Sequence, residues 1–267
     1  MSDFIFQSHK KIEFGFFPLL EKFGIVHGFT CRTGGDSDLV PGNLNMALHV
    51  GDNREKVLSN RALIAQIFNY EPQKVTTCAQ VHGSNIVKVT EDLVGKGAYD
   101  YTDTIQNTDG LVTDLPQVPL MLFFADCVPV MLIDTKGKAI ALVHAGWRGA
   151  LSEIGAKAAQ ILHADYGAAM KDIVAVIGPS IGPCCYQVDK KVWEKGSSYP
   201  DCFRPSGAEH WFLNLWQVNR EQLEKAGIPR TNILCANYCT KDHADKYFSY
   251  RGEKGKTGRL AAIIYRS

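Results

Sequence analysis

The sequence predicts an α/β fold: a single compact domain with mixed sheets. Three observations predict it. Short apolar runs of strand length recur along the chain, stretches with helical periodicity fall between them, and no linker, repeat or low-complexity block divides the 267 residues. With 45% apolar residues the chain can bury a substantial core, so residues 1–267 are read as one domain.

Residues 4–30 hold a short apolar stretch, a phenylalanine-rich turn and a strand over 25–30. The next segment, CRTGGDSDLVPGNLN, is rich in Gly, Asp, Ser, Pro and Asn and forms a loop. It is either a plain surface connection or a ligand-facing one, in which case Arg32, Asn43 and Asn45 present their side chains. Residues 53–68 place Val57, Ile64, Ile67 and Phe68 on one side and form an amphipathic helix. Strands follow at 75–78 and 86–90 around AQVHGSN, which puts Gln80 and His82 on a loop or strand end. Residues 91–108 are polar and turn-rich, with no period, and form a rim.

The densest stretch is 119–149, PLMLFFADCVPVMLIDTKGKAIALVHAGWRG. Its runs 120–124 and 128–133 are too short for buried helices and read as buried strands separated by Ala-Asp-Cys. Lys136-Gly137-Lys138 makes a turn, 139–143 is a third strand, and His144 falls where that strand ends. Gly149 opens a helix that runs to Tyr166, with Leu151, Ile154, Ala158, Ile161 and Leu162 at helical spacing. Arg148 then stands near a positive helix N-terminus, where an anion can be held. Cys127 and His144, at the ends of neighbouring strands, either share a metal ion or act as a nucleophile–base pair. Asp126 and Arg148 are their polar neighbours, and His82 is a third possible ligand.

Beyond this helix come a buried strand at 173–177 and GPSIGPCCYQV, a rigid loop that is either a double turn or a pocket wall. A helix at 215–226, stopped by Gly227 and Pro229, and a strand at 232–236 continue the alternation. Residues 241–250 begin helically, and 260–265 close the chain as a strand.

The formal charge of +1 argues against nucleic acid or an anionic membrane as the main partner and favours a small ligand. Nowhere do 18 consecutive apolar residues occur, and the start lacks the pattern of a secretory signal, so a cytoplasmic location is expected. Eight cysteines in a chain of this length read as reduced thiols. Cys184, Cys185, Cys235 and Cys239 lack the spacing of a zinc ribbon or finger and are assigned to the core or the pocket wall. Oligomeric state has no signature in the sequence.

HGFTCRTGG, LNMALHVGD, QVHGSNIV, DGLVT, FFADCVPVMLID, AIALVHAGWRG, IGPSIGPCCYQV and YFSYRGEKGKTGR follow one another over nearly the whole chain. They resemble the signature segments of the laccase-domain or polyphenol-oxidase-like family, whose members are described as purine nucleoside phosphorylases. ADC paired with HAGWRG at this separation is the specific part of the resemblance. The resemblance implies an α-β-β-α sandwich that binds Zn2+, with Cu2+ as the other possible ion, through His82, Cys127 and His144. Its implied reaction is cleavage of adenosine, inosine and methylthioadenosine by phosphate to free base and ribose 1-phosphate, with adenosine deamination at the same zinc. Expected catalytic residues are His82, Cys127, His144 and Arg148. Expected substrate contacts are Arg32, Asn45, Gln80, Asp126 and Arg251, with Arg148 and Arg32 holding phosphate because guanidinium groups bind it bidentately. Asn43, Cys31 and the single Arg251 before Gly252 depart from the family's common residues, which bears on substrate preference. Two other activities compete: a copper-dependent polyphenol oxidase, disfavoured because eight scattered histidines include no His-x-His segment, and a cysteine hydrolase acting on cell-wall precursor peptides.

Overall fold

The central apolar runs are strands with both faces buried in the computed structural model, which describes residues 4–40, 42–137 and 139–267. In chain order the first elements are β1 (Ile5–His9), β2 (Ile12–Phe16), β3 (Ile25–Thr30), α1 (Arg54–Phe68), β4 (Ile86–Lys88), β5 (Gly110–Thr113) and β6 (Leu120–Phe124). Then come β7 (Val128–Asp134), β8 (Ile140–Ala145), α2 (Trp147–Leu151), α3 (Ile154–Tyr166), β9 (Ile173–Ile177), β10 (Gln187–Asp189) and α4 (Lys190–Lys195). β11 (Phe203–Pro205), β12 (His210–Leu213), α5 (Leu215–Lys225), β13 (Ile233–Cys235) and β14 (Leu260–Arg266) complete the chain.

An antiparallel sheet has the order β1-β2-β3-β14-β6, and a mixed sheet has the order β13-β9-β7-β8-β5-β4. In the mixed sheet β13 runs parallel to β9 and β4 parallel to β5, while the other neighbours are antiparallel. Successive side chains on a strand point to opposite faces, and the cores follow that period. Leu120, Leu122 and Phe124 of β6 meet Met131, Ile133, Ile140 and Leu142 of the mixed sheet in a core between the sheets. Met121 and Phe123 point the other way, with Ala261 and Ile263, against Ile64 and Phe68 of α1. Val130, Leu132, Ala141 and Val143 leave the mixed sheet on its far side and pack on Ile154, Ala158 and Leu162 of α3 and Leu223 of α5. The layers are therefore α1, sheet, sheet, and α3 with α5, in one compact α/β domain. A small antiparallel sheet, β10-β12-β11, adds to the α3 side.

Three expected elements differ. The helix expected from Gly149 to Tyr166 is two helices: α2 starts at Trp147, and Glu153 takes the left-handed conformation at φ 61° before α3. The carbonyl of Ala150 accepts both Glu153 N at 2.9 Å and Gln222 Nε2 at 2.8 Å, which ends α2 while the apolar period runs on. Residues 241–250 form turns, with separate helical bonds from His243 N to Cys239 O and Tyr247 N to His243 O. The strand expected at 75–78 is reduced to isolated bridges, Thr76 with Leu120 and Cys78 with Ile105. Pro41 of the glycine-rich loop and Lys138 of the expected turn lie outside the described residues. Among the described residues no helix is long and apolar enough to cross a membrane.

Candidate metal centre and its cavity

β7 and β8 pair antiparallel with Val128 opposite Ala145, so Cys127, just before β7, arrives beside His144 at the end of β8. His82 comes from the loop before β4, and Asp109 ties it to His144. Asp109 is fully buried; its carboxylate accepts His82 N at 2.9 Å and Gly83 N at 2.7 Å, and its carbonyl accepts His144 N at 2.7 Å. The same carboxylate holds His144 Nδ1 at 2.8 Å, which leaves Nε2 for the cluster, the arrangement in which a carboxylate orients a metal-ligating imidazole. Burial pushes the Asp109 carboxyl up, but the bonds from His144, Gly83 and His82 hold it below the usual carboxylate range.

The ligand atoms of His82, Cys127 and His144 lie within 4.8 Å of one another. Tetrahedral ligands bonded at about 2.0–2.3 Å sit roughly 3.3–3.8 Å apart, so the three atoms are close enough that they could hold one ion after small rotamer changes. A side chain at Gly146 would place Cβ 3.1 Å from Cys127 Sγ and 3.2 Å from His82 Cδ2, so the glycine keeps the ligand face clear. Burial would raise the Cys127 thiol, but the charge and hydrogen bond of His144, with those of His82, bring it down to about 6. Burial would lower His144, but the charge of Cys127 and the bond and charge of Asp109 raise it to about 9, so each of the two groups favours the charged form of the other.

These groups open on a cavity of about 490 Å³ walled by Phe123, Trp147, Tyr186 and Tyr250. Three arginines, Arg148, Arg251 and Arg259, face into it. Arg148 is exposed and lies inside the first turn of α2, not before a helix at Gly149, with its guanidinium 4.4 Å from the Trp147 ring centroid. Gln80 reaches the cavity, but its amide pairs with the backbone of Phe123 at 2.8 and 2.9 Å. Asp126 also lines the cavity; its oxygens accept Thr240 Oγ1 at 2.7 Å and Arg251 N at 2.6 Å, which makes it a clamp on the wall. Arg251 further donates to Gln187 O at 2.8 Å and stacks over Tyr186.

Arg32 and Asn45, expected to meet substrate, do not line the cavity. Arg32 donates to Asn43 Oδ1, Ala244 O and Glu253 Oε1 and lies over Phe248, which fastens the glycine-rich loop to the 244–253 turns. Asn45 is fully buried and accepts Arg259 N at 2.9 Å, so it acts behind the wall. Arg259, Tyr250 and His49 line the cavity without having been singled out in the sequence, whereas Tyr186 comes from the segment expected as a double turn or a pocket wall. Burial, reinforced by Arg259 and Arg61, lowers His49 to about 4, so a neutral imidazole stands at the rim. Their one signal was position inside LNMALHVGD, CCYQV and YFSYRGEKGKTGR.

Fold and site together define a class: a compact α/β protein whose strand ends carry a His-Cys-His set able to hold a metal ion, open to an arginine-lined cavity. The chain belongs to the family described as multi-copper polyphenol oxidoreductase laccase, which matches residues 26–267. It is 38% identical over 248 residues to a protein of Geobacillus stearothermophilus named purine nucleoside phosphorylase YlmD, covering 91% of this chain and 90% of that one. A Bacillus subtilis protein of the same name is 34% identical over 244 residues, covering 90% of this chain and 88% of that one. The crystal structure of YlmD from Geobacillus stearothermophilus superposes with a TM-score of 0.94 at 36% identity, covering 100% of this chain and 99% of that chain.

Proposed function

We propose that this protein is a zinc-dependent purine nucleoside phosphorylase acting on adenosine, inosine and methylthioadenosine, with adenosine deaminase activity in the same cavity. The observation that carries the reading is the convergence of a His82–Cys127–His144 set and three arginines on one aromatic-walled cavity. The relatives' printed name supports it. In phosphorolysis a phosphate oxygen bonds to the anomeric carbon of the sugar as the bond to the purine nitrogen breaks. The electron pair leaves with the base, which takes up a proton. The dianion needs fixed positive charge beside a sugar that is itself becoming positive, and Arg148 and Arg259 supply it from the protein side. Tyr186, held by the Arg251 stack, and Phe123 offer flat faces to the purine. When bound, zinc with three protein ligands keeps an open position and supplies Lewis-acid activation of water, the chemistry that removal of the adenosine amino group requires. All eight cysteines are free thiols, which fits a reducing cytosol.

Incubation of zinc-loaded protein with adenosine, with and without phosphate, followed by separation of adenine, inosine and hypoxanthine, tests both activities. Adenine should appear only with phosphate, and inosine in either case. If no base is released in response to phosphate, the phosphorylase reading fails.

One observation favours a second reading. Cys127, His144 and Asp109 form a thiol–imidazole–carboxylate line, the arrangement of a cysteine hydrolase. His82 as a third convergent donor favours the metal. Alkylation decides: bound zinc should protect Cys127, whereas a hydrolytic cysteine would be modified equally fast in metal-loaded and metal-free protein. Copper, which the family description names, is tested by metal analysis of protein prepared without added copper, where zinc is expected.

A further inference from the structure

We propose that Cys184, Cys185, Cys239 and Asp242 form a second, structural site for a thiophilic divalent cation of the zinc class. The sequence reading gave these cysteines to the core or the pocket wall because no two-residue spacing joins them. Folding joins them: the three sulfurs and a carboxylate oxygen all lie within 4.8 Å of one another, as close as the ligand atoms of the first set.

The cluster is built from two rigid segments locked side by side. Ser180 bridges Cys239 as in a parallel ladder, with Ser180 N on Tyr238 O at 3.2 Å and Thr240 N on Ser180 O at 3.1 Å. The first segment turns back on itself where Cys185 N and Tyr186 N both donate to Gly182 O at 3.0 Å. Added to Gly182, a Cβ would stand 2.9 Å from the Trp216 ring, 3.1 Å from Cys239 Cβ and 3.2 Å from Cys184 Sγ, so the glycine leaves room for the two cysteines beside that ring. The Gly182 N–H donates to Cys239 Sγ at 3.2 Å, which orients that sulfur as an outer-shell donor does around a bound thiolate. Cys184 Sγ and Cys185 Sγ donate to the two oxygens of Asp242, each at 2.9 Å. Two sulfurs thus bond one carboxylate through thiol protons, and the third, Cys239 Sγ, lies within 4.8 Å of all of them. A divalent cation replaces those protons and releases them on binding.

Donor chemistry sets the ion. Three thiolates and one carboxylate favour zinc over magnesium or calcium, which prefer all-oxygen sites. Four protein donors close the coordination shell, so the site is structural and not catalytic. Cys239 is buried while Cys184 and Asp242 are exposed, so the ion enters from solvent. Its place in the fold gives it a task. The first segment continues directly into Tyr186, and the second carries Thr240, whose hydroxyl fixes Asp126 and through it Arg251. Joining these segments holds the Tyr186–Arg251 wall of the cavity at a fixed distance from the first metal set.

Cobalt(II) is the probe, because sulfur-to-cobalt charge-transfer absorption reports thiolate ligation. Cys127→Ala protein, which lacks the sulfur of the first set, is freed of metal with a chelator under reductant and titrated with Co2+. The expected result is a thiolate charge-transfer band that saturates near one equivalent and is abolished by Zn2+. Adding Cys184→Ser, at an exposed position, should weaken Co2+ binding by more than about tenfold, and Asp242→Asn provides an independent exposed test. Peptide mapping after alkylation should show Zn2+ protecting Cys184 and Cys185. The inference is overturned if folded Cys127→Ala protein gives no such band, or if Zn2+ leaves the alkylation of both cysteines unchanged. A Cys184–Cys185 disulfide persisting under reductant would overturn it as well. None of these readouts depends on nucleoside turnover, so the inference stands or falls apart from the proposed activity.

Discussion

Asp109 carries no chemistry of its own and still holds two of the three candidate metal ligands in place. It anchors the backbone of the His82 loop and the ring of His144 with one carboxylate. Asp109→Asn keeps the volume but turns a donor toward those N–H groups, so zinc affinity should fall by about 10- to 100-fold, measured by competition with a chromogenic chelator. Arg148 and Arg32 make opposite predictions. Arg148 is exposed, and among the described residues no carboxylate pairs with it. Arg148→Ala should therefore raise the phosphate concentration needed for half-maximal rate by about tenfold or more while leaving the melting temperature nearly unchanged. An unaltered phosphate dependence would show that it only packs on Trp147. Arg32→Ala should do the reverse, lowering the melting temperature through its lost bonds to Glu253 and Ala244 while leaving the phosphate dependence near that of the parent. Cys127→Ala should depress phosphorolysis and deamination together if one ion serves both. Survival of deamination alone would assign it to another site.

At the scale of elements, α1 shows how local chemistry sets a boundary. Asn53 is its N-cap, and its side-chain oxygen accepts Glu55 N at 3.0 Å and Lys56 N at 3.3 Å. Asn53→Ala removes that acceptor and should cost about 1 kcal/mol in urea unfolding, whereas Asn53→Asp should retain most of the stability. α1 covers the outer face of the antiparallel sheet through Ile64 and Phe68, so fraying its start loosens a layer without touching the metal set. The break between α2 and α3 has the opposite origin. It depends on Gln222 of α5 reaching the Ala150 carbonyl across 72 residues, and no local signal announces it.

The whole molecule responds to acid through groups that folding keeps neutral. His27 is buried in β3, and its Nε2 accepts the Phe17 N–H at 3.0 Å, so it cannot take a proton without breaking that bond. Burial lowers it from 6.5 to about 3. Between those values the unfolded chain binds a proton that the folded chain refuses, so stability is complete above about pH 6.5 and is lost as pH falls toward 3. The slope from this one group reaches at most about 1.4 kcal/mol per pH unit. His27→Gln, which can still accept the Phe17 N–H, should flatten the curve over this window relative to the parent, as read from urea midpoints at several pH values. Equal slopes would show that His27 is not the group responsible. His49, lowered to about 4 by burial and by Arg259 and Arg61, titrates similarly in both proteins, so the difference isolates His27.

The sequence by itself determined the α/β class, most strand positions and the span of α1, and its family resemblance singled out His82, Cys127 and His144, which the fold brings within 4.8 Å of one another as a candidate metal set. Strands buried on both faces become unbroken apolar runs, as in 120–124 and 128–133, and a glycine beside ligands becomes part of a motif such as HAGWRG. These are properties of an element and its immediate neighbours, so they leave a local mark. Tertiary structure alone decided which arginine meets the cavity. Arg32 and Arg259 sit in equally glycine-rich surroundings, and only packing turns one toward Glu253 and the other into the cavity. It also decided that Cys184, Cys185, Cys239 and Asp242 converge, because the Ser180–Cys239 bridge joins segments 59 residues apart. Contacts of that kind depend on where two elements cross in space, and neither composition nor periodicity records the crossing.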